Sequence, residues 1–110
     1  MVELVGQKSQ LTEIASREVQ RYVGHTENAT MYALLDDKNR RYGVVLVPED
    51  ETERPSYLVA LARVIGNYVV IDEDGALDKP LHEALMVNGG VPREQIILAY
   101  KGETIPDAST

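Results

Sequence analysis

Two apolar runs meet across a glycine-asparagine pair: residues 57–65 (YLVALARVI) and residues 68–71 (YVVI) flank Gly66-Asn67. A two-residue step of this kind closes a β-hairpin tightly, because glycine reaches the positive φ that such turns require. Leu and Ala in the first run also allow a helix over residues 57–64, but the turn and the β-branched run after it favour strands. Strict alternation puts Tyr57, Val59 and Leu61 on one face and Leu58, Ala60 and Val64 on the other. Both faces are then apolar, and a sheet built on this hairpin needs cover on two sides.

The remaining elements follow from spacing. Leu11, Ile14, Ala15, Val19 and Tyr22 recur at three and four residues with Glu13, Arg17, Glu18 and Arg21 between them. That is an amphipathic helix from residue 4 or 9 to residue 23, with Gly24 placed to end it as a left-handed cap. Apolar runs at 31–35 and 41–47, joined by Asp36-Asp37-Lys38-Asn39-Arg40, form a first hairpin. On its second strand Tyr42, Val44 and Leu46 share one face, Gly43, Val45 and Val47 the other. Residues 49–53 make an acidic loop. Asp72-Glu73-Asp74-Gly75 ends the fourth strand. Asp78 is placed as N-cap of a second helix, with Lys79-Pro80 in its first turn, Leu81, Ala84 and Leu85 as its buried stripe and Gly89-Gly90 as its end. Residues 91–94 turn into a last strand at 95–100, and the chain from Lys101 frays.

The expected fold is therefore α+β: helix, four mostly antiparallel strands, helix, strand. With 110 residues there is room for one core. Residues 1–103 form the domain and 104–110 a flexible tail. Two helices cover one face of such a sheet, and the simplest cover for the other is a second copy. A homodimer is expected in which Tyr57, Val59, Leu61, Tyr68 and Val70, or else Leu58, Ala60, Val64, Val69 and Ile71, meet their symmetry mates.

Composition excludes several chemistries. The absence of cysteine removes disulfide scaffolds, thiolate zinc sites and cysteine nucleophiles. A net charge of −7 argues against a duplex-wrapping protein and makes direct nucleic-acid binding a poor expectation. The longest clean apolar run, residues 57–62, is too short to span a bilayer. The start of the chain has no basic segment followed by an apolar one. A soluble, cytoplasmic protein is expected.

No familiar catalytic pattern survives its own geometry. His82-Glu83 opens like the zinc-protease helix motif, but Met86 stands where the second histidine belongs. If Gly75 held the glycine position of a calcium loop, the first ligand would be Val70 and the bidentate acid Leu81, both unsuitable. His25 lies where a protonated imidazole would favour the end of the first helix. Gly89-Gly90 ends a helix instead of opening one, the wrong polarity for a phosphate. Lys38, Arg40 and Arg41 form the one basic cluster, without stacking aromatics beside it. No catalytic residue, cofactor site or metal site is expected. The alternative is a small metal- or ligand-binding domain using the acids around Asp72 and Asp74.

The stretch from Tyr68 onward, YVVIDEDGALDKPLHEALMVNGGVPREQIILAYKGE, resembles the XisI family of fdxN element excision controlling factors, found in cyanobacteria and some other bacteria. The resemblance rests on Asp74-Gly75, Leu85, Gly90-Val91-Pro92-Arg93-Glu94, Ile96, Ile97 and Leu98, with the Gly-Val-Pro-Arg-Glu-x-Ile segment its most specific part. Upstream, Leu34-Leu35-Asp36 and Arg41-Tyr42-Gly43-Val44-Val45 resemble the first family hairpin. The resemblance covers most of residues 5–103 in all. Tyr68-Val69 stands where the family commonly has tryptophan, and residues 104–110 replace a longer C-terminal segment. The resemblance implies a noncatalytic accessory factor for programmed excision of a DNA element, acting beside a recombinase and an XisH-type partner. It supplies no catalytic residue to carry over.

Overall fold

In the computed structural model, which describes residues 2–50, 55–75 and 79–106 with side chains from Gln10 onward, six strands form one mixed sheet with two α-helices. Helix α1 is Val2–Gln20, and the strands are β1 Gly24–His25, β2 Ala29–Asp36, β3 Arg41–Pro48, β4 Tyr57–Ile65, β5 Tyr68–Asp74 and β6 Ile96–Leu98. Helix α2 is Leu81–Val87, and 3-10 turns at Arg93–Gln95 and Ala99–Lys101 flank β6. The strands lie in chain order, antiparallel except for the parallel β5–β6 pair. The antiparallel sheet and its two hairpins were legible in the sequence. The count was not, because two-residue β1 carries no periodic signal.

Helix α1 ends by tightening. Arg21, Tyr22 and Val23 donate to the carbonyls of Glu18, Val19 and Gln20, three residues back. Gly24 is therefore not a cap. In β1 it pairs with Met31 of β2, and His25 pairs with Thr30. The last strand is also shorter than expected, three residues between two 3-10 turns.

Helices α1 and α2 lie side by side on one face of the sheet. Beneath them are Tyr42 and Val44 of β3, Ala60, Ala62 and Val64 of β4, Val69 and Ile71 of β5, and Ile96 and Leu98 of β6. Leu11, Ala15, Val19, Leu81 and Leu85 close on them from the helices. Aliphatic side chains do nearly all the filling, as a chain without Phe or Trp requires.

Two bulges break the alternation. Val44 pairs with Ala60 but Val45 with Leu58, so Val59 is an extra residue in β4. Likewise Ala62 pairs with Ile71 but Leu61 with Glu73, so Asp72 is extra in β5. The first bulge keeps Val59 and Ala60 both in the core and moves Leu58 to the opposite face. Neither expected set of dimer residues is then a real face, since each mixes the two sides. The second bulge carries β5 on through Asp74, where a run of acids had suggested that it stopped.

The end of α2 behaves as glycine at a terminus should. Gly90 has φ +70, its N–H bonds Met86 C=O at 3.1 Å and the Val91 N–H bonds Leu85 C=O at 3.0 Å. Gly89 is needed for a different reason, because a Cβ there would lie 2.5 Å from Ile14 Cγ2 and 2.7 Å from the Leu85 oxygen. We expect Gly90→Val to cost on the order of 1 kcal/mol or more, since a β-branched residue strains at positive φ. An unchanged denaturation midpoint would contradict this.

Candidate functional site

The face of the sheet turned away from the helices is the candidate site. Strand register places its side chains in rows: Thr30 with Val47, then Tyr32, Val45 and Leu58, then Leu34, Gly43, Leu61 and Glu73. Arg41, Arg63, Val70 and Ile97 follow, and Ile65 lies beside Tyr68. Much of this surface is apolar and open. Tyr32 and Leu34 are each 52% exposed, and Leu58 and Ile65 each 40%. Val45, Val47, Leu61 and Tyr68 are half-buried. A monomer seldom leaves so contiguous an apolar surface without a use for it.

Gly43 shapes the middle. A Cβ there would sit 3.0 Å from the Ala60 oxygen, 3.3 Å from Leu61 Cδ1 and 3.7 Å from Leu58 Cδ2. The two leucines therefore lean over the glycine and flatten the surface. At the rim, Arg63 grips Asp72 with two bonds, Nη2 to Oδ1 at 2.9 Å and Nε to Oδ2 at 2.5 Å. The bulge at Asp72 brings that carboxylate within reach of Arg63.

Asp74 does something else. Its register partner is Ala60, on the helix side, and its Oδ2 accepts the N–H of Leu81 at 2.7 Å, where α2 starts. A carboxylate there satisfies an orphan donor and suits the helix dipole. The expected cap, Asp78, lies outside the described residues. Asp72 and Asp74 thus serve opposite sides of the sheet and are not brought together. Among the described residues, no three His, Asp or Glu side chains converge as a metal site would need.

The remaining sequence candidates scatter. His25 Nδ1 lies 2.8 Å from Thr30 Oγ1 across β1 and β2. His82, expected on a solvated helix face, is half-buried, and its Nδ1 is buried without a hydrogen-bond partner. Lys38, Arg40 and Arg41 follow Asp36 and Asp37 through the β2–β3 turn, where Arg40 takes φ +54. In that turn Asp36 accepts the Asn39 side chain at 2.8 Å and its N–H at 3.1 Å, which together hold its carboxyl below the usual range. Of the acidic loop, residues 51–54 lie outside the described residues. A groove of about 700 Å³ beside Ile14, Tyr68 and Val91 has, among the described residues, Glu94 as its one charged side chain and no histidine.

Sequence reasoning missed what finishes the other edge of the sheet. The outward N–H of Leu98 donates to Glu103 Oε1 at 2.8 Å, and the carbonyl of Ile96 accepts from Arg93 Nη1 at 2.7 Å. Arg93 Nη2 and Glu103 Oε2 then pair at 2.7 Å. The Leu98 amide and, after it, Arg93 hold the Glu103 carboxyl below its ordinary value. The segment past Lys101 is thus fastened at Glu103 and does not fray there.

Tyr22 links α1 to the approach to α2, donating its hydroxyl to the Lys79 carbonyl at 2.6 Å. Burial, then the charges of Asp74, Glu18 and Glu83, push its pKa up to about 12 from 10.0. The folded state holds this proton more tightly than the unfolded chain does. Its stabilising effect is complete below pH 10 and is lost as pH rises towards 12. Melting temperature should fall across that window, and less steeply in Tyr22→Phe. Equal slopes would contradict it.

No family model matches the chain, and no curated protein matches it in sequence. Solved structures do. An XisI-like protein from Anabaena variabilis superposes with a TM-score of 0.62 at 21% identity, over 86% of this chain and 84% of that one. The fdxN element excision controlling factor XisI from Anabaena variabilis gives 0.59 at 16% identity, over 84% of this chain and 88% of that one. The fold of this chain is XisI-like. No helix among the described residues is long and apolar enough to cross a membrane.

Proposed function

We propose, taking the XisI-like fold as premise, that this chain is a noncatalytic protein-binding module of the XisI type. It acts in the cytoplasm as an accessory factor in excision of a DNA element, beside a recombinase and an XisH-type protein. The observation that carries this reading is the open sheet face, where Tyr32, Leu34, Leu58 and Leu61 form an apolar surface on a rigid support. Sheet faces bind other proteins through such a centre with a charged rim, and Arg63 and Asp72 supply part of the rim. The net charge of −7 favours a protein partner over direct contact with DNA. A solved neighbour described as an excision controlling factor supports the same reading.

The alternative, a metal or ligand site on Asp72 and Asp74, draws no support from their placement, because one pairs with Arg63 and the other caps α2.

Calorimetric titration with an XisH-type protein tests the proposal. Saturable binding is expected, weakened at least tenfold by Leu61→Glu in a variant that melts like the parent. Absence of binding, or equal binding by the variant, would overturn it. So would magnesium-dependent DNA cleavage by the purified chain that disappears in Asp72→Ala.

A further inference from the structure

The two edges of the sheet are finished differently. On β6, three residues long, Arg93 and Glu103 occupy the outward backbone groups and pair with each other. On the opposite side β1 covers only Thr30 and Met31 of β2. From Tyr32 to Asp36, β2 is paired with β3 alone. Its outward N–H and C=O groups have no strand partner among the described residues. The usual protections of an edge are also missing from residues 32–35, which contain no lysine, no proline and no bulge.

The side chains there are apolar on both faces. Tyr32 and Leu34 project to the open face, 52% exposed each, and Leu35 to the helix face, 44% exposed. A strand added at this edge would bury both sets at once. We propose that residues 32–36 of β2 pair antiparallel with the same residues of a second copy, joining two sheets into one.

Symmetry and charge select a second copy as the occupant. An antiparallel pair of identical strands has its own two-fold axis, so one edge suffices to form a closed dimer. With the axis near Leu34, Ala33 faces the mate's Leu35 and Tyr32 faces the mate's Asp36. The two Asp36 carboxylates then fall about 14 Å apart along the strands at 3.4 Å per residue, beyond the Debye length of about 8 Å. Residues 32–35 carry no charged side chain, and Asp36 at the end of the segment faces the mate's Tyr32 instead of the mate's Asp36. The open faces of both copies would become continuous, which doubles the surface without using it. This proposal does not rest on the excision reading.

Sedimentation and amide exchange test it together. Wild type should sediment at twice 12.2 kDa at micromolar concentration. Alternate amides of residues 32–36 should gain protection as concentration rises. Leu34→Lys and Leu35→Lys should each sediment at the single-chain mass with the parent's circular dichroism, while Val87→Lys, at the exposed last residue of α2, stays dimeric. A monomeric wild type would overturn the proposal, as would exchange in residues 32–36 that is independent of concentration. A dimer broken by Leu61→Glu but kept by Leu34→Lys would put the contact on the sheet face and overturn it as well. Titrating the monomeric Leu35→Lys protein, altered on the helix face, with an XisH-type protein separates this proposal from the functional one, since binding there is expected to persist within tenfold.

Discussion

Tyr42→Ala is expected to lower stability by about 3–5 kcal/mol, the range for deleting a large buried aromatic ring. Tyr42 is fully buried and is the largest such side chain among the described residues. It sits on β3 beneath α1, in a core built mostly of aliphatic side chains. Its hydroxyl donates to Asp37 Oδ1 at 2.9 Å at the edge of the core. Tyr42→Phe keeps the ring and gives up that bond, for about 1 kcal/mol. Urea midpoints for the two variants measure the difference. A Tyr42→Ala protein within about 1 kcal/mol of wild type would mean that the core does not depend on this ring.

Glu18→Ala is expected to cost about 2–3 kcal/mol. Glu18 is the one buried charged residue among the described ones. It sits on α1 and ties that helix to the chain just after α2. Oε1 accepts from Asn88 Nδ2 at 3.1 Å and from Arg21 Nε at 2.9 Å, and Oε2 from Arg17 Nε at 3.2 Å. Removing one partner of a fully buried ion pair costs about 3–5 kcal/mol, because the other charge is stranded. Here both arginines are more than half exposed and water takes over, so the loss is smaller. Glu18→Gln keeps the acceptor for Asn88 and should lose less than Glu18→Ala. Equal losses would show that the charge, not the hydrogen bond to Asn88, holds the helices together.

Local chemistry made part of this structure legible in the sequence. Gly66-Asn67 closes the β4–β5 hairpin, with Ile65 opposite Tyr68 and Gly66 at φ +58. Gly90 takes the positive φ that ends α2. Leu81, Ala84 and Leu85 form the buried stripe of that helix. What escaped was set at a distance. Period-two reasoning cannot detect a bulge, and the ones at Val59 and Asp72 each reverse the side on which later residues fall. The cap of α2 comes from Asp74 on a strand, seven residues before Leu81, where no capping pattern would look. Arg93, noted for the motif it belongs to, takes its place from Glu103 ten residues on.

The site divides in the same way. That the helices would leave one face bare followed from counting elements. Which residues form that face did not, because it depends on the bulges. Leu58 joins Tyr32 and Val45 in the open row, and Val59 goes to the core.

Amide hydrogen exchange on this chain, alone and saturated with an XisH-type protein, tests the central claim most directly. If the open sheet face is the docking surface, slowing should fall on β3 and β4 around Val45, Leu58 and Leu61 and leave the exposed turns of α1 and α2 unchanged. Slowing confined to α1 and α2, with β3 and β4 unaffected, would contradict the account.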